Sequence, residues 1–146
     1  MSLKDWLDNG WLKHHQTDKQ EITAILAMVD RDLRDASINL LSADWRFGIA
    51  YNAALKLCTI LLYSQGYRPE NVLAHYKTIM ALQQIDDHDW RANVAYLNKC
   101  RMSRNTLEYN KVGVVSSDEA VKLIEFSQNF KNEVVYYLAN HYPDLL

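Results

Sequence analysis

Between Trp45 and Gln65 the chain has no face to offer to water: Phe47, Ile49, Tyr51, Ala53, Leu55, Leu57, Ile60 and Leu62 point to every side of a helical wheel. A helix apolar all round holds only when other elements enclose it, in the middle of a bundle or at a subunit interface. Ser42 supplies an N-cap at its start. Gly66 followed by Arg68-Pro69 stops it, because glycine accepts the left-handed turn at a helix end and proline cannot continue the hydrogen-bond ladder. The rest of the chain must therefore provide apolar stripes to wrap this segment.

It does so with helices. Only four glycines and two prolines interrupt 146 residues, and no stretch alternates apolar with polar long enough to read as a strand. A short helix over about residues 3 to 13 carries Trp6, Leu7 and Trp11. Thr17-Asp-Lys-Gln20 has the form of a capping box and opens a helix to about Leu41, with a buried stripe of Ile22, Leu26, Val29, Leu33, Ala36 and Leu40 against a solvent face of Asp30, Arg31, Asp32, Arg34 and Asp35. A shorter helix over about 71 to 83 places Val72, His75, Tyr76 and Ile79 on one side. Asp86-Asp-His-Asp89 puts negative charge at the start of a helix over about 89 to 110. Ser116-Ser-Asp-Glu119 is a second capping box, and Ala120, Ile124, Ser127, Phe130, Val134 and Leu138 form the stripe of a last helix to about Asn140. The expected fold class is all-α, an up-and-down antiparallel bundle of five or six helices in one domain spanning 1–146.

Composition excludes several functions. A net charge of -2 and a pI near 6.2 do not suit a protein that coats nucleic acid by bulk electrostatics. Cys58 and Cys100 form no C-x-x-C pair and fall inside apolar patterns, so both read as small buried hydrophobes. The histidines His14, His15, His75, His88 and His141 show no H-x-x-x-H or H-E-x-x-H spacing, and neither a metal nor another cofactor is expected. P-loop, G-x-S-x-G and paired-carboxylate patterns do not occur. With no signal-peptide pattern and no run of ~18 apolar residues, the default expectation is a cytoplasmic protein with no membrane partner.

The functional signal lies in Arg101-Met-Ser-Arg-Asn-Thr-Leu-Glu-Tyr109. The buried positions Trp90, Val94 and Leu97 continue in steps of three and four onto Arg101 and Arg104, and the alternative stripe Asn93, Leu97, Cys100 reaches Arg104 as well. Arg104 therefore points inward in either register. A guanidinium keeps its charge, so a carboxylate, a second chain or an anionic ligand is expected to meet it. Within the chain, Glu108, Asp30 and Asp35 are the candidate acids. Lys99, Arg101, Arg104 and Lys111 together make a small basic cluster.

Arg104-Asn105-Thr-Leu-Glu-Tyr109 resembles the signature of the HEPN family, an arginine and a polar residue followed within a few positions by histidine. Tyr51-Asn-Ala-Ala-Leu-Lys-Leu, Gly66-Tyr-Arg-Pro69 and Gly113-Val-Val-Ser-Ser-Asp-Glu-Ala120 resemble the same family in the same order, over about residues 20 to 140. The resemblance implies a helical bundle that pairs as a homodimer with the signature arginines facing a shared cleft. It implies nucleotide or RNA binding, and for many members metal-independent ribonuclease activity as a toxin paired with a nucleotidyltransferase antitoxin. Carried over by position, Arg104 is the signature arginine and Asn105 the polar residue, while Tyr109 stands where the histidine is expected.

Arg104, Asn105 and Tyr109 are thus the candidate catalytic residues, with Arg101, Arg104 and Lys111 as phosphate-binding candidates. Tyrosine is a poor base near neutrality, so the leading expectation is a catalytically degenerate binding module, with Tyr109 a candidate acceptor for a nucleotide added by a partner transferase. The alternatives are an active ribonuclease toxin, with Tyr109 or a histidine such as His75 in the missing role, and a plain dimerisation scaffold.

Overall fold

The computed structural model describes the backbone of residues 1–109 and 115–146, with the side chains of these except 106–109. The elements are α1 (Leu3–Asp8), β1 (Leu12–His14), α2 (Lys19–Ala36), α3 (Ala43–Ser64), β2 (Tyr67–Pro69), α4 (Ala74–Ala81), α5 (Arg91–Tyr109) and α6 (Ser117–His141), with 3-10 turns at Leu82–Gln84 and Pro143–Leu145. The fold is an all-α helical bundle, and one hydrophobic cluster draws residues from every α-helix.

Helix α3 is the axis of that cluster. Ser42 accepts the N–H of Trp45 at its start, and at its end Gly66 adopts φ +89° while its N–H reaches the Tyr63 carbonyl at 2.9 Å. Its length and mean hydropathy of 1.3 over one window match those of a membrane-crossing helix. In this chain α2 and α6 flank it, with α4 and α5 completing the enclosure. Leu57, Ile60, Leu61 and Leu62 are fully buried, each contributing about 2 kcal/mol of transfer free energy. Its apolar surface is thus covered mainly within the chain.

The stripe expected of α6 is buried at all six positions, Ala120, Ile124, Ser127, Phe130, Val134 and Leu138, and the Ser116/Glu119 capping box is present in both directions. Ser127 donates its hydroxyl to the Ala50 carbonyl of α3 at 3.3 Å, which satisfies a polar group at the centre of the core. In α5, Val94, Leu97 and Cys100 are buried, as is Trp90 immediately before it. Cys58 and Cys100 are buried free thiols.

Several boundaries differ from the expectation. The first helix stops at Asp8, because Gly10 takes φ +78° and turns the chain into β1. β1 pairs antiparallel with β2 in the register Leu12 with Pro69, Lys13 with Arg68 and His14 with Tyr67. Strands of three residues are too short to show alternation, so this ribbon left no periodic trace in the sequence.

Asp18, not Thr17, is the N-cap of α2: its carboxylate accepts the Glu21 N–H at 2.8 Å, while the Thr17 hydroxyl donates to the Glu21 side chain at 2.7 Å. Helix α2 ends at Ala36, five residues early, and Arg46 Nε caps the Ala36 carbonyl at 2.8 Å. Leu40, expected in the stripe, lies beyond the helix and is 98% exposed. Of the four tryptophans, Trp6 and Trp90 are buried while Trp11 and Trp45 are exposed, and of the Tyr136-Tyr137 pair only Tyr137 is buried.

Asp32, expected on the wet face of α2, is buried. Its carboxylate receives Lys56 Nζ from α3 at 2.5 Å and Arg31 at 3.1 Å. An acid on this face fits because a cation on α3 reaches it across the helix interface. The variant Lys56→Ala leaves that buried carboxylate with one exposed partner and is expected to lower stability by about 2 kcal/mol in urea denaturation. Asp32→Leu combined with Lys56→Met is expected to recover most of that loss.

Candidate functional site

Three helices bring the candidate arginines against tyrosine rings. Arg101 and Arg104 are both half-buried and lie one turn apart on α5, a spacing that places them on one helix face. Arg104 Cζ lies 5.3 Å from the centroid of the Tyr51 ring on α3, and Arg101 Cζ lies 5.2 Å from that of Tyr76 on α4. Arg101 also donates Nε to Asn98 Oδ1 at 3.1 Å. The inward turn of both arginines is as the periodicity implies. An aromatic face is among the groups that meet each cation, and a ring can serve there because its negative quadrupole attracts a guanidinium.

Tyr51 is fully buried, and its hydroxyl has no hydrogen-bond partner among the described residues. Burial pushes its phenol well above the ordinary range, with Cys58 adding to the rise, and the nearby Arg104 and Arg101 offset only part of it. Tyr51 therefore remains a neutral O–H donor at physiological pH and cannot serve as a base. His75 on α4 has its ring centroid 6.2 Å from that of Tyr51 and is exposed, so an imidazole stands beside the ring that Arg104 covers.

Helix α4 is held in place from its amino end. Leu73 takes the left-handed conformation at φ 55°, which is costly for a branched side chain, and no side chain caps the helix. Glu70 compensates by accepting the Val72 N–H at 2.9 Å and Lys77 Nζ at 3.3 Å. This clasp sets where His75 and Tyr76 stand relative to α5.

Asn105 is exposed on α5 next to Arg104. Tyr109 is the last residue of α5, but its side chain, that of Glu108 and all of Lys111 lie outside the described residues. Asp30, one of the acids considered for Arg104, pairs with Lys131 of α6. The residues that sequence reasoning passed over are Tyr51 and Tyr76. Both read as core-type aromatics, and nothing in their spacing links positions 51 and 104. Among the described residues, no group of three or more His, Cys, Asp and Glu side chains is placed to hold a metal ion.

A scan of protein-family models matches no family, and searches of curated proteins and of solved structures return no significant match.

The orphan hydroxyl yields a prediction. Tyr51→Phe keeps the ring beneath Arg104 and removes an unsatisfied buried polar group, so it is expected to be neutral or to stabilise by about 1 kcal/mol in thermal melts. Tyr51→Leu loses the ring as well and is expected to destabilise by more than about 1 kcal/mol.

Proposed function

We propose that the chain is a HEPN-like dimeric module that holds the phosphate of a nucleotide or of RNA on the face shared by α4 and α5. The observation that carries this reading is the pair of half-buried guanidiniums one turn apart, each laid over a tyrosine from a different helix. Guanidinium groups match phosphate oxygens in charge and in hydrogen-bond geometry. The exposed amide of Asn105 and the ring of Tyr76 add a polar contact and a surface on which a base can stack.

Tyr109 in the place of the signature histidine supports binding over cleavage, because phosphate capture needs no proton transfer. The resemblance supports a homodimer with two such arginine sets facing one another, and a nucleotidyltransferase as the partner. In isothermal titration, ATP or a short RNA is expected to bind the wild-type protein at least about tenfold more tightly than Arg104→Ala, with Arg101→Ala intermediate. Equal, weak binding by wild type and both variants would discard the site.

His75 favours a second reading, that of an active metal-independent ribonuclease. Its ring neighbours the same Tyr51 that lies under Arg104, and an imidazole titrates in the range that abstraction of a 2′-hydroxyl proton requires. RNA cleavage in the presence of a chelator, lost in both His75→Ala and Arg104→Ala, is the expected outcome for this reading. Intact RNA after long incubation with the wild-type protein ends it.

A further inference from the structure

A second cleft lies apart from the arginine face, where the end of β1, the carboxyl end of α3 and the last residues of the chain meet. Its volume is about 570 Å³ and its walls include His14, His15, Tyr63, His141, Tyr142 and Asp144. That volume falls within the usual range for small-molecule sites, roughly 300–1,000 Å³.

Two of its imidazoles are held by carboxylates. His15 Nε2 lies 2.8 Å from Glu21 Oε1, which also accepts the Thr17 hydroxyl. His141 Nδ1 lies 3.3 Å from Asp87 Oδ2, and the other oxygen of Asp87 accepts the Tyr137 hydroxyl at 2.8 Å. A carboxylate accepts only from a nitrogen that carries hydrogen, so in the neutral ring of His15 the opposite nitrogen, Nδ1, is a lone-pair acceptor, while His141 faces Asp87 at ion-pair distance and, when neutral, keeps one acceptor nitrogen. Ring contacts orient both imidazoles: the His15 ring packs at a tilt with its centroid 4.0 Å from that of Tyr63, and His141 stacks on Tyr137 at 4.4 Å.

The charges around the cleft select the ligand. Its lining contains the Asp144 carboxylate and neither lysine nor arginine. Glu21 and Asp87 stand behind the imidazoles from α2 and from the segment before α5. Although burial opposes the charge on Glu21, its bonds from His15 and Thr17 prevail and hold it ionised below the usual carboxylate range. On the ribbon side His14 stacks on Tyr67 at 5.9 Å, and Arg68 acts on Tyr63. Tyr63 and Tyr142 add aromatic walls. An anion would meet the Asp144 carboxylate in the lining, with the charges of Glu21 and Asp87 behind the imidazoles. A cation with N–H donors meets ring faces, imidazole lone pairs and the Asp144 carboxylate.

We infer that this cleft binds a small organic cation, an amine or a guanidinium compound, through the acceptor nitrogens of His15 and His141 and the Asp144 carboxylate. Protonation would turn both imidazoles from acceptors into cations, so affinity falls on acidification. Anion binding to the same histidines would rise instead.

The test uses the full chain with spermidine, agmatine and inorganic phosphate as probes, followed by isothermal titration and by the imidazole proton resonances, at about pH 8 and about pH 5.5, which bracket ordinary imidazole titration. At the higher pH at least one amine is expected to bind and shift the His15 and His141 resonances, with affinity at least about tenfold weaker at the lower pH. His15→Phe, which keeps the ring but lacks the acceptor, and Asp144→Asn, an exposed change that leaves the core intact, are each expected to weaken binding severalfold. Arg104→Ala is expected to leave it unchanged, which separates this cleft from the arginine face. Absence of amine-induced shifts at the higher pH, or phosphate binding that strengthens on acidification, would overturn the inference.

Discussion

Everything in this molecule follows from the need to enclose α3. A helix apolar on all sides has no stable place of its own in water, and the cost of leaving it bare, summed over its buried leucines, isoleucine and alanines, is comparable to the total stability of an ordinary domain. α2 and α6 lie along it, and α4 and α5 close the remaining sides. The polar groups that enter this core arrive satisfied: the Ser127 hydroxyl on a carbonyl of α3, and the Asp32 carboxylate on Lys56. The exceptions among the described core residues are the indole N–H groups of Trp6 and Trp90 and the hydroxyl of Tyr51, and Tyr51 lies beneath the arginine that the sequence singles out. An unsatisfied buried donor beside a half-buried cation is the kind of local cost that cores seldom carry without a use.

Much of the fold was legible because helical periodicity is a strong signal over long segments. The stripe of α6 was readable at every position, since five successive steps of three and four leave one solution. α2 was readable in type but not in extent. Its stripe continued on paper to Leu40, yet the chain leaves the helix at Ser37, where the Arg46 side chain caps the Ala36 carbonyl. A partner ten residues away in sequence is invisible to periodicity. Asp32 failed for the same reason: its charge argued for solvent, and the compensating lysine belonged to another helix. The ribbon of β1 and β2 rests on two three-residue strands joined across the whole α2–α3 hairpin, with no local pattern to announce it.

The candidate site was half legible. The direction of Arg101 and Arg104 followed from the register of α5, because a buried stripe that runs into arginines is a local fact. Their tyrosine partners did not, because Tyr51 and Tyr76 come from separate helices and look like core residues wherever they fall. The histidines show the opposite failure. Scattered along the chain, they offered no ligand spacing, yet His14, His15 and His141 border one cleft once the chain terminus folds back over the end of α3. Constellations assembled by tertiary packing carry no signature in sequence distance.

The small ribbon has a mechanical consequence. β1 connects α1 to the base of α2, and β2 leads directly into the Glu70 clasp from which α4 begins, so the two strands form a hinge-pin between the amino-terminal arm and the helix that presents His75 and Tyr76. The backbone bonds from His15 to Gly66 and from Glu70 to Trp11 extend this tie at both ends. A tug on the amino-terminal arm is therefore transmitted, through a few backbone hydrogen bonds, to the tyrosine on which Arg101 rests.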